Sequence, residues 1–421
     1  MTDADVIVSG AGAGGLAVAR ALGGLGLRVL VLDRQRQPST VAKGEILQPE
    51  TARLLDSWGA LEPLLATGAR PVDRLAIRDP HGEPLLSLDY RSLPGNYRQI
   101  LCADYASLQR VLADGLAPSV ELRRGVRVTG AVRDGAGRVV GVDSTDGELR
   151  APLVVAADGM SSALRKAAGI EIDRKEYPHR LLAFDVEGAE VAAEVTAYRT
   201  ARGLCLVYPL PDGRCRLYVQ ATPDEFRANG TADLSGWLDG VLADAPALRP
   251  LEPAIRASLQ RKQLLAVYRL RADRLAAPGL ALVGEAAHAV HPMAAQGVNS
   301  SLGDAEALGR CLAGVSELTP AVVDRALAEF EAARRHRLDH LATVSHNASR
   351  MITSVSGLPK LLGARMMRRT AANPRLLGLT AGNLSGTNVR PLSLLDRLYQ
   401  LGVLVDRHSH TPPVPTLSEA S

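Results

Sequence analysis

Apolar and polar positions follow three different rhythms along this chain, and each predicts a different kind of element. Asp5–Ser9 and Leu27–Asp33 (L-R-V-L-V-L-D) are short, nearly continuous apolar runs, the signature of parallel strands buried on both faces. Leu16–Leu25, between them, is a small-residue helix, so the chain begins with a β-α-β unit. Leu153–Ala157 is another buried strand. Helical periodicity marks Pro49–Gly59 and Tyr105–Leu116. Short strands between Val120 and Val142 are separated by turns at Arg124-Gly125 and Asp134-Gly135. In the middle, Leu181–Glu187, Glu194–Arg199, Leu204–Leu210 and Arg214–Gln220 alternate at period two, with a tight turn at Pro211-Asp212-Gly213. Together with Leu264–Leu270 they predict a sheet with one exposed face. After Gly284 the pattern is almost wholly helical, and residues 408–421 are expected to form a disordered tail.

At about 150 residues per domain, 421 residues allow two or three domains. The chain is 46% hydrophobic but only 3% aromatic, so Leu, Val and Ala must build the core. A net charge of +4 with so few aromatics argues against nucleic acid as a partner. Cys102, Cys205, Cys215 and Cys311 show no metal-like spacing, which points to free thiols in a reducing cytosol and no metal. Signal-peptide and membrane-span patterns are absent, so a cytoplasmic location is expected. The basic stretch 350–375 leaves a peripheral membrane contact open; a solvated helix face is the plainer reading.

Three short segments carry candidate chemistry. Residues 10–15 (G-A-G-A-G-G) satisfy G-x-G-x-x-G between a strand and a helix. Gly10 allows the sharp turn, Gly12 lets a pyrophosphate approach, and Gly15 lets helix and strand pack closely. The amides near Ala13 and Gly14 open the helix toward the phosphates. Asp33, followed by Arg34, ends the second strand, where a carboxylate can hold an adenosine ribose. This unit calls for a dinucleotide without choosing between NAD and FAD. The second segment is Asp158-Gly159, after a strand, with Ser161 or Ser162 to cap a helix that contains Arg165. The third, residues 282–299, runs from an apolar strand through Gly284, Glu285, two histidines and Pro292 to a helix start at Gly297-Val298-Asn299.

Taken in order, these segments resemble the three-part signature of the single-component FAD monooxygenases, the p-hydroxybenzoate hydroxylase-like aromatic hydroxylases. Gly44–Pro49 (G-E-I-L-Q-P) is more faintly similar to squalene epoxidases and polyprenyl-quinone hydroxylases. Three positions depart from the family pattern: Glu285 stands for Asp, Ala295 for Gly, and Tyr105 falls where an arginine is common. The resemblance implies an α/β architecture: a Rossmann-like FAD-binding domain interleaved with a mixed β-sheet substrate domain, plus a C-terminal helical region. The FAD-binding parts would be residues 1–70, 101–175 and 273–340, the substrate parts 71–100 and 176–272, and the helical region 341–407, before the tail 408–421.

The resemblance also implies NAD(P)H as a transient co-substrate. O2 would form a C4a-hydroperoxyflavin, and an oxygen atom would pass to an aromatic, quinone or prenylated substrate by hydroxylation or epoxidation, in bacterial secondary metabolism. Glu285 would contact the ribityl or pyrophosphate region and Pro292 the flavin ring. Gly297, Val298 and Asn299 would offer amides to the pyrimidine side. Candidate catalytic groups are His291, Tyr208 and Tyr218, although core tyrosines with satisfied hydroxyls are the plainer reading. His179 could move a proton, with a surface histidine the plainer reading, and His336 and His340 read as a solvated helix flank. Two alternatives share the motifs: a geranylgeranyl-type FAD reductase, and a flavin-fold protein that no longer uses FAD for redox.

Overall fold

The computed structural model describes residues 2–228 and 234–410. Its first sheet has six strands in the order Ala276–Ala277, Leu280–Leu282, Leu153–Ala156, Val6–Ser9, Val29–Asp33, Val120–Arg124. All but the first run parallel: Val6 stands opposite both Val29 and Leu153, and Val154 opposite Leu280. The strands that precede the three motifs are therefore neighbours pointing the same way. Chain segments about 270 residues apart in sequence leave this sheet at one carboxyl edge, where ligands of such folds bind. Every residue of Val6–Ser9, Val29–Asp33 and Leu153–Ala156 is buried, which explains their unbroken apolar runs.

The second large sheet has eight strands, in the order His288–Ala289, Lys262–Ala272, Ile172–Glu187, Arg214–Ala221, Gly203–Pro209, Val195–Thr200, Arg74–Arg78, Pro84–Asp89. The pair at 74–89 joins through a parallel contact of Arg74–Arg78 with Val195–Thr200. Its period-two pattern predicts one exposed face, and the structure corrects this. Gly203–Pro209 is buried at every position. One face packs against Leu238, Val241 and Leu242 of the helix Leu234–Asp244 and Ile255 of Glu252–Ala257. The other joins Tyr90, Met293 and Ala294 in a separate core.

Ile172–Glu187 is also longer than its pattern suggests. Its register with Lys262–Ala272 shifts between Glu176 and Arg180, a bulge that re-aims Tyr177 and His179. Behind the first sheet lies Gly297–Leu312, and across it the long helix Pro320–Thr353, started by Thr319 as cap and Pro320 at the first position. Gly357–Ala371, Pro374–Ser385 and Leu394–Leu401 follow, the last opened by a Ser393/Asp396 capping box. Of the expected tail, residues 411–421 lie outside the described residues.

Candidate active site: a cleft between two helix N-termini

The glycine loop places the N-terminus of the helix Ala13–Gly23 at the carboxyl edge of the first sheet. A Cβ on Gly10, whose φ is +104°, would lie 2.4 Å from the Ala157 carbonyl oxygen, and one on Gly15 would lie 1.9 Å from the Gly10 oxygen. Both glycines are demanded by close backbone packing. Gly12 differs: its Cβ would meet only the Tyr105 hydroxyl, at 3.5 Å. That opening is a cradle for a ligand.

Asp33 is turned to the loop itself, accepting from the Ala11 amide at 2.5 Å and the Gln35 amide at 2.6 Å. Arg34, the next residue, is exposed. Asp158 accepts from the Ala163 amide through Oδ2, while its buried Oδ1 has no partner. Burial raises the Asp158 carboxyl above its ordinary value, against the bonds it accepts. Ser162 caps the helix Ala163–Ala167. Arg165 is buried and donates to the carbonyls of Ala286 and Met160 at 2.8 and 2.9 Å, tying the second motif to the third.

The second helix N-terminus is that of Gly297–Leu312. Gly297 is exposed and a Cβ there would meet nothing within 4 Å, so its amide end is open. A buried carboxylate holds this motif in place. Asp304 accepts from the Gly284 amide at 2.9 Å, from His288 Nε2 at 2.7 Å and from Arg334 Nε at 2.8 Å. Burial alone would raise the Asp304 carboxyl, but His288 and Arg334 outweigh it and hold it below the usual range. Asn299 accepts from the Gln48 amide at 2.9 Å and is also bonded to Thr51, which joins the helix start to the G-E-I-L-Q-P segment.

Ala295 sits in the left-handed region with φ +51°. An alanine there costs about 1 kcal/mol relative to glycine. Ala295→Gly is therefore expected to raise stability by up to ~1 kcal/mol, read as a higher urea midpoint with an unchanged slope. A lower midpoint would show that the position is not strained.

The two remaining departures meet across the cleft. Glu285 pairs with Lys43 through both carboxylate oxygens at 3.2 Å. The Tyr105 hydroxyl accepts from the Ala13 amide at 3.2 Å. Burial opposes the Lys43 charge, but Glu285 and Tyr105 prevail and raise its pKa. Gly44 passes between Tyr105 and Val298; a Cβ there would lie 2.4 Å from Val298 Cγ2. Lys43-Gly44 thus bridges the space between the two helix starts.

On the substrate-sheet side, Glu45 accepts from Tyr208 at 2.7 Å and from Arg216 at 2.7 and 2.9 Å, all three buried. Tyr218 donates to the Ala42 carbonyl at 3.0 Å. Burial, with the Glu45 charge, pushes both phenols up, so they stay protonated and their protons are committed to Glu45 and Ala42.

His179 is not a surface residue: it is 4% exposed, and its Nε2 lies 2.9 Å from His291 Nε2. His291 Nδ1 accepts from the Met293 amide at 3.1 Å, so neutral His291 carries its proton on Nε2 and donates it to His179. Tyr177 packs edge-on against His291, at 4.8 Å between centroids. His340, expected on a solvated flank, is buried and bonded to Asn383 at 3.1 Å. His336 is exposed as expected.

Burial and the Arg180 charge lower His179 to about 4, and burial with two neighbouring histidines takes His291 well below its ordinary value. The unfolded chain takes up these protons near pH 6.5, whereas the folded protein resists them. Stability should therefore fall as pH drops from about 6.5 toward 4, by about 3 kcal/mol from His179 alone. Urea midpoints at a series of pH values check this, and a flat profile would contradict it.

A parallel sheet with a glycine loop and a second helix start at one edge, facing a covered mixed sheet, defines a dinucleotide-dependent oxidoreductase fold. The family model described as "FAD binding domain" matches residues 3–344, and the chain belongs to this family of FAD-dependent monooxygenases and hydroxylases. It is 31% identical over 382 residues to 6-methylpretetramide 4-monooxygenase of Streptomyces rimosus, covering 87% of this chain and 90% of that one. Identity is also 31% over 363 residues to a ubiquinone hydroxylase of Rhodospirillum rubrum, covering 79% and 78%. The crystal structure of PqsL, a probable FAD-dependent monooxygenase from Pseudomonas aeruginosa, superposes with a TM-score of 0.74 at 27% identity, over 83% of this chain and 96% of that one.

FAD is accordingly the cofactor, and the residues fit it. The open space at Gly12, the unpartnered Asp158 Oδ1 and the open amide end at Gly297 are features that a bound dinucleotide could use.

Proposed function

We propose that the protein takes hydride from NADPH or NADH and inserts one atom of O2 into an aromatic or quinone ring, in bacterial secondary metabolism. The observation that carries this reading is the position of Met293 and Ala294. They follow Pro292 in the third motif and share one buried cluster with Leu181, Leu206, Tyr208 and Tyr218 of the eight-stranded sheet. A flat apolar substrate between that sheet and the cofactor strip would meet aliphatic and aromatic surface, with the Glu45–Arg216 pair as a nearby polar anchor. The names of two relatives, which give 6-methylpretetramide and ubiquinone as substrates, agree with a ring substrate.

When bound, FAD supplies the redox chemistry and the activation of O2. The chain positions it and excludes water. The open helix end at Gly297–Asn299 favours negative charge beside it. The His291–Met293 and His291–His179 bonds brace the Pro292 turn against the substrate sheet. Pro292 itself is exposed at the cleft.

Glu285 reaches Lys43 because it has one methylene more than the family's Asp. Glu285→Asp withdraws the acid from Lys43, and FAD affinity should be kept or improved; a large loss of bound flavin would refute this. Function itself is tested by following NADPH and NADH oxidation by the FAD-loaded protein with phenolic polycycles, quinones and prenylated aromatics. Stimulation by at least one ring substrate is expected. No stimulation by any of them, with FAD bound, would count against the proposal.

A further inference from the structure

Charge is unevenly spread over this chain. Residues 340–405 contain eight Lys and Arg and a single acid, Asp396, against a net charge of +4 for the whole. The same region carries most of the exposed large hydrophobic side chains among the described residues. Of eleven exposed large hydrophobic residues among the described ones, eight lie between Val355 and Val405. We propose that this C-terminal helical face docks on an anionic lipid bilayer.

The helix Gly357–Ala371 shows how the two features combine. Leu358, Leu361, Arg365 and Arg368 are all exposed and spaced three, four and three apart, so they form one stripe, apolar at its start and basic at its end. The opposite face, with Gly363, Met367 and Thr370, is buried. Arg199 pins the helix to the body by donating to the carbonyls of Met351 and Lys360. The stripe is thus turned outward by packing and is not a frayed end.

A second apolar ridge lies beside it. The backbone at Gly402 is close to Arg365 and Arg369, since a Cβ there would be 3.1 Å from each guanidinium. Val403 and Val405 follow directly, 66% and 86% exposed. Two acids in the adjoining C-terminal segment are already engaged: Asp396 and Asp406 pair with Arg375 at 2.6 and 2.8 Å. Among the described residues, neither Arg365 nor Arg368 forms an ion pair of its own.

Protruding leucines and valines interleaved with arginines match the two requirements of an anionic interface, apolar insertion and phosphate pairing. A second copy of the chain fits less well. A two-fold interface would set this arginine stripe against itself, and like charges across an interface are costly. Among the described residues no helix is long and apolar enough to cross a membrane, so the contact is with the surface.

The test uses the full chain loaded with FAD and sedimented with vesicles of phosphatidylcholine alone or with added phosphatidylglycerol. Binding is expected only to the phosphatidylglycerol vesicles, and it should weaken in high salt. Leu358→Ser with Leu361→Ser, and separately Arg365→Gln with Arg368→Gln, should each weaken it by about tenfold or more. Melting temperature and FAD binding should stay unchanged, because these side chains face solvent. Absence of binding to the anionic vesicles, or equal binding by both double variants, would overturn the proposal. So would concentration-dependent self-association that the same substitutions abolish. The inference does not rest on the substrate assignment, so vesicle binding can fail while the monooxygenase reading stands.

Discussion

Gly12→Val is expected to leave the protein folded and to abolish FAD binding. Gly12 has φ −70°, an ordinary value for any residue, and a Cβ there would make only a normal contact with the Tyr105 hydroxyl. The folded protein without FAD should therefore lose no more than about 1 kcal/mol. The added methyl groups, however, would stand between the first turn of the helix Ala13–Gly23 and the pyrophosphate. They would deny it the amides and the positive end of the helix dipole. FAD affinity should fall by more than about 100-fold, equivalent to some 3 kcal/mol. The neighbouring glycines make the contrast. Gly10→Ala and Gly15→Ala would force a Cβ against backbone oxygen at 2.4 and 1.9 Å, so those variants should lose fold and cofactor together. Flavin fluorescence titration beside thermal melting separates the two effects, and unchanged affinity in Gly12→Val would contradict the placement of the pyrophosphate.

Asp304→Ala should be strongly destabilising. The carboxylate is 1% exposed and satisfies three donors at once: the Gly284 amide, His288 and Arg334. Its removal leaves the Arg334 charge, itself 4% exposed, without its counter-ion. Breaking a buried pair in this way costs about 3–5 kcal/mol. The damage would be directional, because Gly284 and His288 belong to the third motif and Asp304 to the helix that the motif starts. FAD retention should fall with stability. Urea denaturation checks this, and a loss below about 1 kcal/mol would mean that the network is not what holds the motif.

How much of this was legible in the sequence depends on how local each feature is. The β-α-β unit and the three motifs could be read, because each is a contiguous run with a fixed spacing. Glu285 could be recognised as a departure, but its partner could not: Lys43 lies 242 residues away. Tyr105 falls under the same limit, since nothing nearby in sequence announces that its hydroxyl takes the Ala13 amide. The strand Ile172–Glu187 was missed in its first half because I-D-R-K-E-Y-P-H-R is polar and contains Pro178. The bulge hidden there is what turns His179 inward to His291. The exposed sheet face was misjudged for a related reason. Alternation reports that two faces differ, and it does not report that both will be covered, with helices 234–257 taking the face of Leu182, Phe184, Val207 and Leu217.

The central claim is that this chain delivers an oxygen atom from O2 to a ring substrate. The most direct measurement is product mass after turnover under heavy-isotope O2, using FAD-loaded protein, NADPH and whichever ring substrate most stimulates coenzyme oxidation. The account predicts a product heavier by one oxygen atom that carries the heavy isotope. A product that has gained two hydrogens and no oxygen, or oxygen drawn from water, would contradict it.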